Sequence, residues 1–277
     1  MDTGLIWNIV CEIRAKSPLV HNITNFVVMN NTANGLLALG ASPIMAHAEG
    51  ELEELLGLAS ALVLNIGTLS EAWGAAMLRA ASYAARAGLP VVVDPVGAGA
   101  STLRTSLALE LIRLAGKRLI VRGNASEILA LAGEAGHTHG VDSASPADAA
   151  LPAAEQLAAR RGCVVVVSGE CDMVTDGKAT WLVRGGHAMM QKVTGLGCTA
   201  SALVAACAGV TDSLPAAGVA GMAIMGAAGG IAAAKSAGPG SLQVNFLDAL
   251  YNLSESNLAE QIRLEEKKGG DFSRPAF

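Results

Sequence analysis

The feature that most constrains this 277-residue chain is a series of short β-branched runs that alternate with longer helical stretches. Four consecutive valines, 164 to 167, mark a strand buried on both faces, as in the interior of a parallel sheet. The alternation predicts βαβ units, and therefore an α/β fold with a mostly parallel central sheet. The predicted strands are Pro43–Ala46, Ala61–Ile66, Pro90–Asp94, Arg118–Arg122 and Cys163–Ser168. The predicted helices include Glu51–Ala59, Ser70–Ala87 and Thr102–Ala115.

The chain changes character after Ser168. Residues 172–178 are typical of a strand entering a turn, and Ala179–Val183 of its return, which predicts an antiparallel hairpin at the sheet edge. Beyond Gly195 the pattern is helical, over Cys198–Val210, Ala216–Ser236 and Leu242–Gln261. We expect one domain spanning residues 1–277, with a polar tail frayed from about Lys267 onward.

Composition argues against several classes of protein. Hydrophobic residues make up 52% of the chain and charged residues 16%, and the net charge is −5. The two signs are interspersed, so neither a nucleic-acid partner nor a membrane surface is expected. The uncharged stretches 193–211 and 213–234 approach membrane-spanning length, but they are rich in Ala and Gly, which favours buried helices of a soluble core.

The cysteines and histidines also bear on location and metal binding. Five scattered cysteines, with no C-x-x-C pair and no secretion signal, favour the reducing cytoplasm. His137 and His139 form an H-x-H in a Gly/Thr-rich loop without further ligands nearby. We interpret the two histidines as ordinary loop residues rather than as metal ligands.

The sharpest local feature is the segment 193–201, VTGLGCTAS, which directly precedes an apolar helix. Thr194, Gly195 and Gly197 begin a turn whose backbone N–H groups can point to one place, where the helix dipole adds positive charge. Such donors would stabilise a phosphoryl group in transfer. An ordinary glycine-rich helix cap fits the motif equally well. The loop lacks the Lys-Ser/Thr of a Walker A motif, and it occurs too late for a dinucleotide-binding fingerprint.

Polar residues end two of the predicted strands. Asp94 ends one strand before Pro95 and two glycines, where it could hold a Mg²⁺-bound phosphate, directly or through water. It could also simply cap the next turn. Ser168 ends the four-valine strand, where it is either a handle for a phosphate oxygen or an ordinary turn residue.

A third strand end carries the segment RGNASE. Arg122 offers a fork of donors to phosphate. Asn124 or Ser126 can cap the following helix, which holds Glu127, and this carboxylate could orient a metal-bound water. Asp94 and Glu127 would come from neighbouring strand ends and could converge on one cation.

Together these segments resemble the hydroxyethylthiazole kinase family of the ribokinase-like superfamily. The resemblance covers Pro18 to about Leu250 and rests on PLVHNITN, LGASPIM, NIGTL, VDPVGAGA, RGNASEI, VVVVSGE, VTGLGC and GPGS, in the family's order. It implies a three-layer αβα subunit, a homotrimer with active sites at subunit interfaces, and ATP-dependent, Mg²⁺-assisted phosphorylation of 4-methyl-5-(2-hydroxyethyl)thiazole. The site residues that it implies are Met45, Gly195, Asn25 and Thr68 for the thiazole, Arg122, Ser168, Asn124 and Thr194 for ATP, Asp94 and Glu127 for the metal, and Cys198, Gly195 and Gly197 for catalysis.

Cys198 stands where other ribokinase-like enzymes carry an aspartate base. A thiol at a helix N-terminus can have its pKa lowered from about 8.5 to about 3.5–7.5. It could therefore accept the alcohol's proton, although phosphoryl transfer asks little of a base. Two positions depart from the family pattern: Ser168 is often Thr, and Leu196 stands where Thr is common, which bears on fine positioning in the phosphate loop.

Three other functions remain open at this stage. The first is another ribokinase-like kinase or an ATP-dependent dehydratase of the same fold, which would normally carry Asp at position 198. The second is a nucleotide-binding regulator that has lost catalysis, which the combination of Asp94, Arg122 and Glu127 disfavours. The third is a redox enzyme, disfavoured because no G-x-G-x-x-G follows the first strand.

Overall fold

The computed structural model describes residues 1–133 and 146–268, so His137 and His139 lie outside the described residues. Within this part of the chain, strands and helices alternate as predicted. The strands are β1 Leu19–Ile23, β2 Ser42–Met45, β3 Ala61–Asn65, β4 Val91–Asp94, β5 Leu119–Asn124, β6 Val164–Ser168, β7 Cys171–Thr175, β8 Ala179–Arg184 and β9 Arg263–Lys268. The helices are α1 Thr3–Lys16, α2 Met29–Leu39, α3 Leu52–Leu58, α4 Glu71–Ala87, α5 Thr102–Leu114, α6 Ala125–Ala132, α7 Pro146–Arg161, a 3₁₀ helix Ala188–Lys192, α8 Leu196–Ala208, α9 Leu214–Ala234, α10 Pro239–Tyr251 and α11 Glu255–Gln261.

All the described strands belong to one sheet, in the order β2-β1-β3-β4-β5-β6-β7-β8-β9. Strands β1 to β6 run parallel, and β7, β8 and β9 are antiparallel to their neighbours. The α/β prediction with a mostly parallel sheet is confirmed. The order reverses between β1 and β3, and in such sheets ligands bind beyond the carboxyl ends of the strands at this switch point.

Two hydrophobic cores, one on each face of the sheet, give the three-layer αβα arrangement. Alternate strand residues point to opposite faces, so Val63 and Val92 join one core, whereas Leu64 and Val93 join the other. Helices α1, α2 and α8 to α11 pack on the first face, and α3 to α7 on the second. The four valines of β6 are all buried and divide between the two cores, as predicted.

Helix boundaries follow from capping residues. Ser70 accepts a hydrogen bond from the backbone N–H of Trp73 at 3.3 Å and begins α4, and Gly88 ends that helix in the left-handed conformation (φ 68°). Helix α9 is long and apolar enough to cross a membrane, but 89% of its most apolar 18-residue stretch is buried inside the fold. This burial agrees with the interpretation of α9 as a core helix. It can pack so closely because Gly221 lies directly against Val204, which a side chain at 221 would overlap.

The structure corrects three expectations and adds a strand that was not predicted. The hairpin β7–β8 is not at the sheet edge, because β9 pairs with β8. Lys267 is part of β9 and is not frayed, while residues 269–277 lie outside the described residues. The predicted helix Leu242–Gln261 is two helices, since α10 ends at Tyr251 and Ser254 caps α11. Strand β1 escaped prediction because His21 and Asn22 are polar although they are buried.

Candidate active site

The start of α8 is the centre of the site. Gly195 is its N-cap, in the left-handed conformation (φ 85°), and a Cβ there would lie only 2.9 Å from Val28. The first backbone bond of the helix runs from the N–H of Thr199 to the carbonyl of Gly195 at 2.9 Å. The preceding helical amides, 196 to 198, therefore have no partner within the helix and are available to an anion.

A buried chain of hydrogen bonds links this helix to the ends of three strands. The amide of Asn25, after β1, donates to Asn65 Oδ1 at 2.8 Å and to the Cys198 sulfur at 3.5 Å. Asn65, at the end of β3, donates to Asp94 Oδ2 at 2.8 Å, and Ser201 of α8 donates to the same oxygen at 2.7 Å. The structure thus brings together Asn25, Asp94 and Cys198, which sequence reasoning selected separately.

Asp94 is 1% exposed at the end of β4. Burial raises its pKa to about 6, although the positive charge of Arg122 and the hydrogen bonds from Ser201 and Asn65 oppose the rise. Within the described parts of the chain, no group donates to its second oxygen, Oδ1. That oxygen is therefore available to a metal ion or a metal-bound water.

The expectation of a lowered pKa for Cys198 is not met. Burial and the nearby negative charge of Asp94 raise the pKa of this thiol to about 11, because both disfavour the thiolate. These effects outweigh the hydrogen bonds from Asn65 and Asn25. The shift disfavours the thiolate at neutral pH.

Glu127 lies close to Asp94, since its charge contributes to raising the pKa of Asp94. Its two oxygens accept hydrogen bonds from the backbone N–H groups of Gly97 at 2.9 Å and Asn124 at 2.8 Å. Asn124 in turn caps α6, so the predicted cap is confirmed as a capping box. Over residues 1–133 and 146–268 no cluster of three or more His, Cys, Asp or Glu could hold a metal. A Mg²⁺ that keeps most of its waters needs only one or two carboxylates, and Asp94 with Glu127 fits that requirement.

A cleft of about 820 Å³ opens beside the start of α8. Arg122, Ser168, Leu196 and Gly197 line it, whereas Thr194 and Asn124 do not. Other lining residues include Asp172, Arg184, His187, Met190, Met222 and Met225.

Arg122 lines this cleft and is nearly buried. It is 8% exposed, and none of the described residues accepts a hydrogen bond from its Nε. A Cβ at Gly197 would lie 3.2 Å from its Nη1, so the guanidinium lies against the first turn of α8. Ser168 donates to the Gly123 carbonyl at 3.3 Å, and Leu196 is 7% exposed and belongs to the core.

Three of the residues that the resemblance assigns to the thiazole lie at or just after the carboxyl ends of β1, β2 and β3, at the switch point of the sheet. Met45 ends β2 and is paired in register with Asn22. Thr68 Oγ1 accepts a hydrogen bond from the backbone N–H of Phe26 at 3.0 Å, which joins the loop after β3 to the loop after β1. Trp73 packs edge-on against Phe26 at 4.5 Å between ring centres and stacks on His47 at 3.8 Å.

Sequence reasoning missed Asn65 and Ser201. Asn65 ends a strand as Asp94 does, and the two are paired in register, so the same rule would have selected it. Ser201 follows Cys198 by three positions in a helix, and residues at that spacing share a face. Both signals are present in the printed sequence.

The protein has a parallel sheet with a switch point, and a glycine-capped helix that faces an arginine and a buried aspartate. These features place it in the class of α/β phosphotransferases of ribokinase-like architecture. Residues 10–256 match the profile of the hydroxyethylthiazole kinase family. The chain belongs to this family.

Relatives and solved structures agree with that assignment. A hydroxyethylthiazole kinase of Nitratidesulfovibrio vulgaris is 56% identical over 263 residues, which cover 95% of this chain and 98% of that one. The structure of the hydroxyethylthiazole kinase protein of Pyrococcus horikoshii is similar with a TM-score of 0.88 and 41% identity, covering 96% of this chain and 100% of that one. A Staphylococcus aureus pyridoxal kinase, solved with AMP-PCP and pyridoxal, shares the fold with a TM-score of 0.64 and 16% identity, covering 91% and 99%.

The pKa of Asp94 leads to a pH prediction. The carboxylate is charged above about pH 6 and neutral below it. Because the charged form is the one that accepts two hydrogen bonds and can hold a cation, kcat/KM for phosphorylation should fall as the pH drops from 7 to 5. A pH–rate profile of the wild type measures this.

The control for that profile is the Asp172→Asn variant. Asp172 lines the cleft, and burial raises its pKa to about 6 as well. The acidic limb should persist in this variant, because Asp94 is unchanged. A flat profile between pH 5 and 8, or a limb that disappears with Asp172, would contradict the assignment to Asp94.

Proposed function

We propose that this protein is a single-domain kinase that transfers the γ-phosphoryl group of ATP to the hydroxyl of 4-methyl-5-(2-hydroxyethyl)thiazole. One observation carries the proposal: the Arg122 guanidinium and the Asp94 carboxylate both lie against the first two turns of α8, the helix whose first amides have no partner within the helix. A phosphoryl group in transfer carries negative charge on its oxygens, and such groups stabilise it by position and charge.

The nucleotide would occupy the cleft beside α8. Ser168 and Arg122 line it, and the unpartnered Nε of Arg122 supplies a buried donor for a phosphate oxygen. Asn124 and Thr194 lie outside the lining. In this proposal Asn124 acts through its cap on the helix that holds Glu127, and Thr194 through the carbonyl that accepts from Asn31 at 3.5 Å.

Asp94 would hold Mg²⁺ through Oδ1, and Glu127 would reach it through water, because both Glu127 oxygens already accept backbone hydrogen bonds. When bound, the ion would neutralise charge on the phosphates. Asn65 and Ser201 hold the carboxylate in place from the other side.

The alcohol would be held between the cleft and the loops that follow β1 and β3. Met45, Thr68 and Asn25 would surround the thiazole ring, and sulfur contacts with aromatic rings are favourable. The Cys198 thiol and the Asn25 amide, 3.5 Å apart, would orient the hydroxyl toward the phosphate. As the new O–P bond forms, the hydroxyl proton would pass late to an oxygen of the transferred phosphoryl group while ADP leaves, so a neutral thiol is compatible with catalysis.

We also propose that the enzyme works as a homotrimer in the cytoplasm, with each site completed by a second copy. Phe26 and Val27 directly follow Asn25 and are 64% and 59% exposed, which is unusual for apolar residues beside a site. None of the five cysteines forms a disulfide, as suits a reducing compartment.

Light scattering of the purified protein tests the trimer and should give three times the mass of the chain. A monomer that is fully active would contradict the shared site.

A panel of three alcohols tests the function. Purified protein with ATP and Mg²⁺ is incubated with the thiazole alcohol, with pyridoxal or with a hydroxymethylpyrimidine, and the products are identified by mass spectrometry. The proposal expects the thiazole phosphate to form with kcat/KM at least about 100-fold above the other two, because a site built around one ring discriminates against rings of different size and polarity. Phosphorylation of another alcohol in preference would refute the substrate, and no product in any arm would refute the kinase.

A further inference from the structure

Arg104, in the first turn of α5, binds two loops of the site at once. Its Nη1 donates to the carbonyl of Ile66 at 2.9 Å and to that of Val96 at 2.5 Å. Its Nη2 donates to the carbonyl of Gly67 at 2.6 Å. Within the described residues no carboxylate lies within 4.0 Å of it, so its donors serve the backbone rather than an ion pair.

The two loops belong to opposite sides of the proposed reaction. Ile66 and Gly67 lead from Asn65 to Thr68, on the alcohol side. Val96 leads from Asp94 to Gly97, whose backbone N–H donates to Glu127 on the metal and phosphate side. One guanidinium therefore bridges the loop on the alcohol side and the loop on the metal side, beyond the point where the pairing of β3 with β4 ends at Asn65 and Asp94.

Arginine suits this task better than lysine. Its planar fork presents several donors at fixed spacing, whereas a lysine ammonium is a single point on a flexible stem. The loop at Gly67 is also held from the other side, where Asn65 Oδ1 accepts its N–H at 3.0 Å. Gly97 is left-handed (φ 76°), and a Cβ there would lie 3.2 Å from the Arg104 side chain, so the second loop approaches closely.

We propose that Arg104 is a positioning residue that sets the distance between the bound alcohol and the transferred phosphate. The inference rests on the proposed function, since it assigns the two loops to the two substrates. A purely structural role would lower only the stability of the fold. A positioning role changes kcat and the KM for the alcohol in enzyme that remains folded.

The test compares Arg104→Met and Arg104→Lys with a matched control, Arg113→Met. Arg113 lies on the same helix, is exposed and pairs only with Glu110 among the described residues. Well below the unfolding temperature, we expect kcat/KM for the thiazole alcohol to fall about 100-fold in Arg104→Met, because a misplacement near 1 Å costs that much. Arg104→Lys should recover part of the loss, about tenfold below wild type. Arg113→Met should match wild type.

Hydrogen exchange provides a readout that is independent of turnover. In Arg104→Met without substrate, exchange should speed up at residues 65–70 and 95–100, while the body of α5 remains protected. Unchanged exchange in both loops, or an Arg104→Met enzyme within threefold of wild-type kcat/KM, would overturn the proposal. A wild type that phosphorylates no alcohol would instead refute the proposed function, and the exchange arm would still decide whether Arg104 joins the loops.

Discussion

Replacing Asp94 with alanine is expected to lower kcat by about a thousandfold, the scale of losing a central electrostatic group in an active site. The variant removes a carboxylate that is 1% exposed, and with it the partner of Asn65 and Ser201. Steady-state rates at saturating ATP and thiazole alcohol measure the effect. Thermal unfolding of the same sample separates it from loss of fold.

The control is Cys198→Asp, which should stay within about tenfold of the wild type. The new carboxyl would lie beside Asp94 in a buried site, and burial and a like charge both raise the pKa of a carboxyl group toward the range of a general base. An inactive Cys198→Asp enzyme would show that the thiol does something a carboxylate cannot. An Asp94→Ala enzyme that keeps more than a tenth of wild-type kcat would contradict the role given to Asp94.

Placing valine at Gly197 is expected to lower kcat/KM for ATP by about 100- to 1000-fold, as loss of oxyanion-type donors does. Position 197 is exposed at the cleft, and even a Cβ there would lie 3.2 Å from Arg122 Nη1. The branched side chain would occupy the place of a phosphate oxygen and displace the guanidinium. Gly197→Ala should be intermediate, because it adds only the first carbon.

A glycine in another helix provides the control for the substitution at 197. Gly74 lies in α4, where a Cβ would make ordinary contacts at 3.7 Å or more. Gly74→Ala should leave kcat/KM unchanged and stabilise the fold by about 0.5–1 kcal/mol through the backbone. A Gly197→Val enzyme with wild-type kcat/KM for ATP would show that no phosphate approaches the start of α8.

The central strands could be predicted from the sequence because a strand that is buried on both faces is an unbroken run of β-branched residues, as in Val91 to Val93 and in β6. Asn124 was predictable as a cap because capping is a local matter between neighbours in sequence. Strand β1 could not be predicted, because His21 and Asn22 are polar residues that are buried by packing that the local sequence does not reveal. Strand β9 reads RLEEKK, and its charge is typical of an exposed edge strand rather than of a core strand.

The site was predictable in its parts but not in its electrostatics. Gly195 and Asp94 begin or end an element, and Arg122 lies two residues before the end of β5, because this strand continues past the predicted end at Arg122 to Asn124. The topology of a parallel sheet brings such positions to one edge. The raised pKa of Cys198 depends on its distance from Asp94 and on how deeply both are buried. Those quantities arise from tertiary packing. The helix N-terminus alone predicted the opposite direction for the thiol.

The central claim is that the free amides at the start of α8 bind the phosphoryl group during transfer. Hydrogen exchange of residues 194–199 tests it directly, in the free enzyme and with ADP, Mg²⁺, aluminium fluoride and the thiazole alcohol, which together mimic that group. Exchange of these amides should slow markedly only when all four components are present. Equal exchange with and without them, while the cleft around Ser168 becomes protected by nucleotide, would contradict the claim.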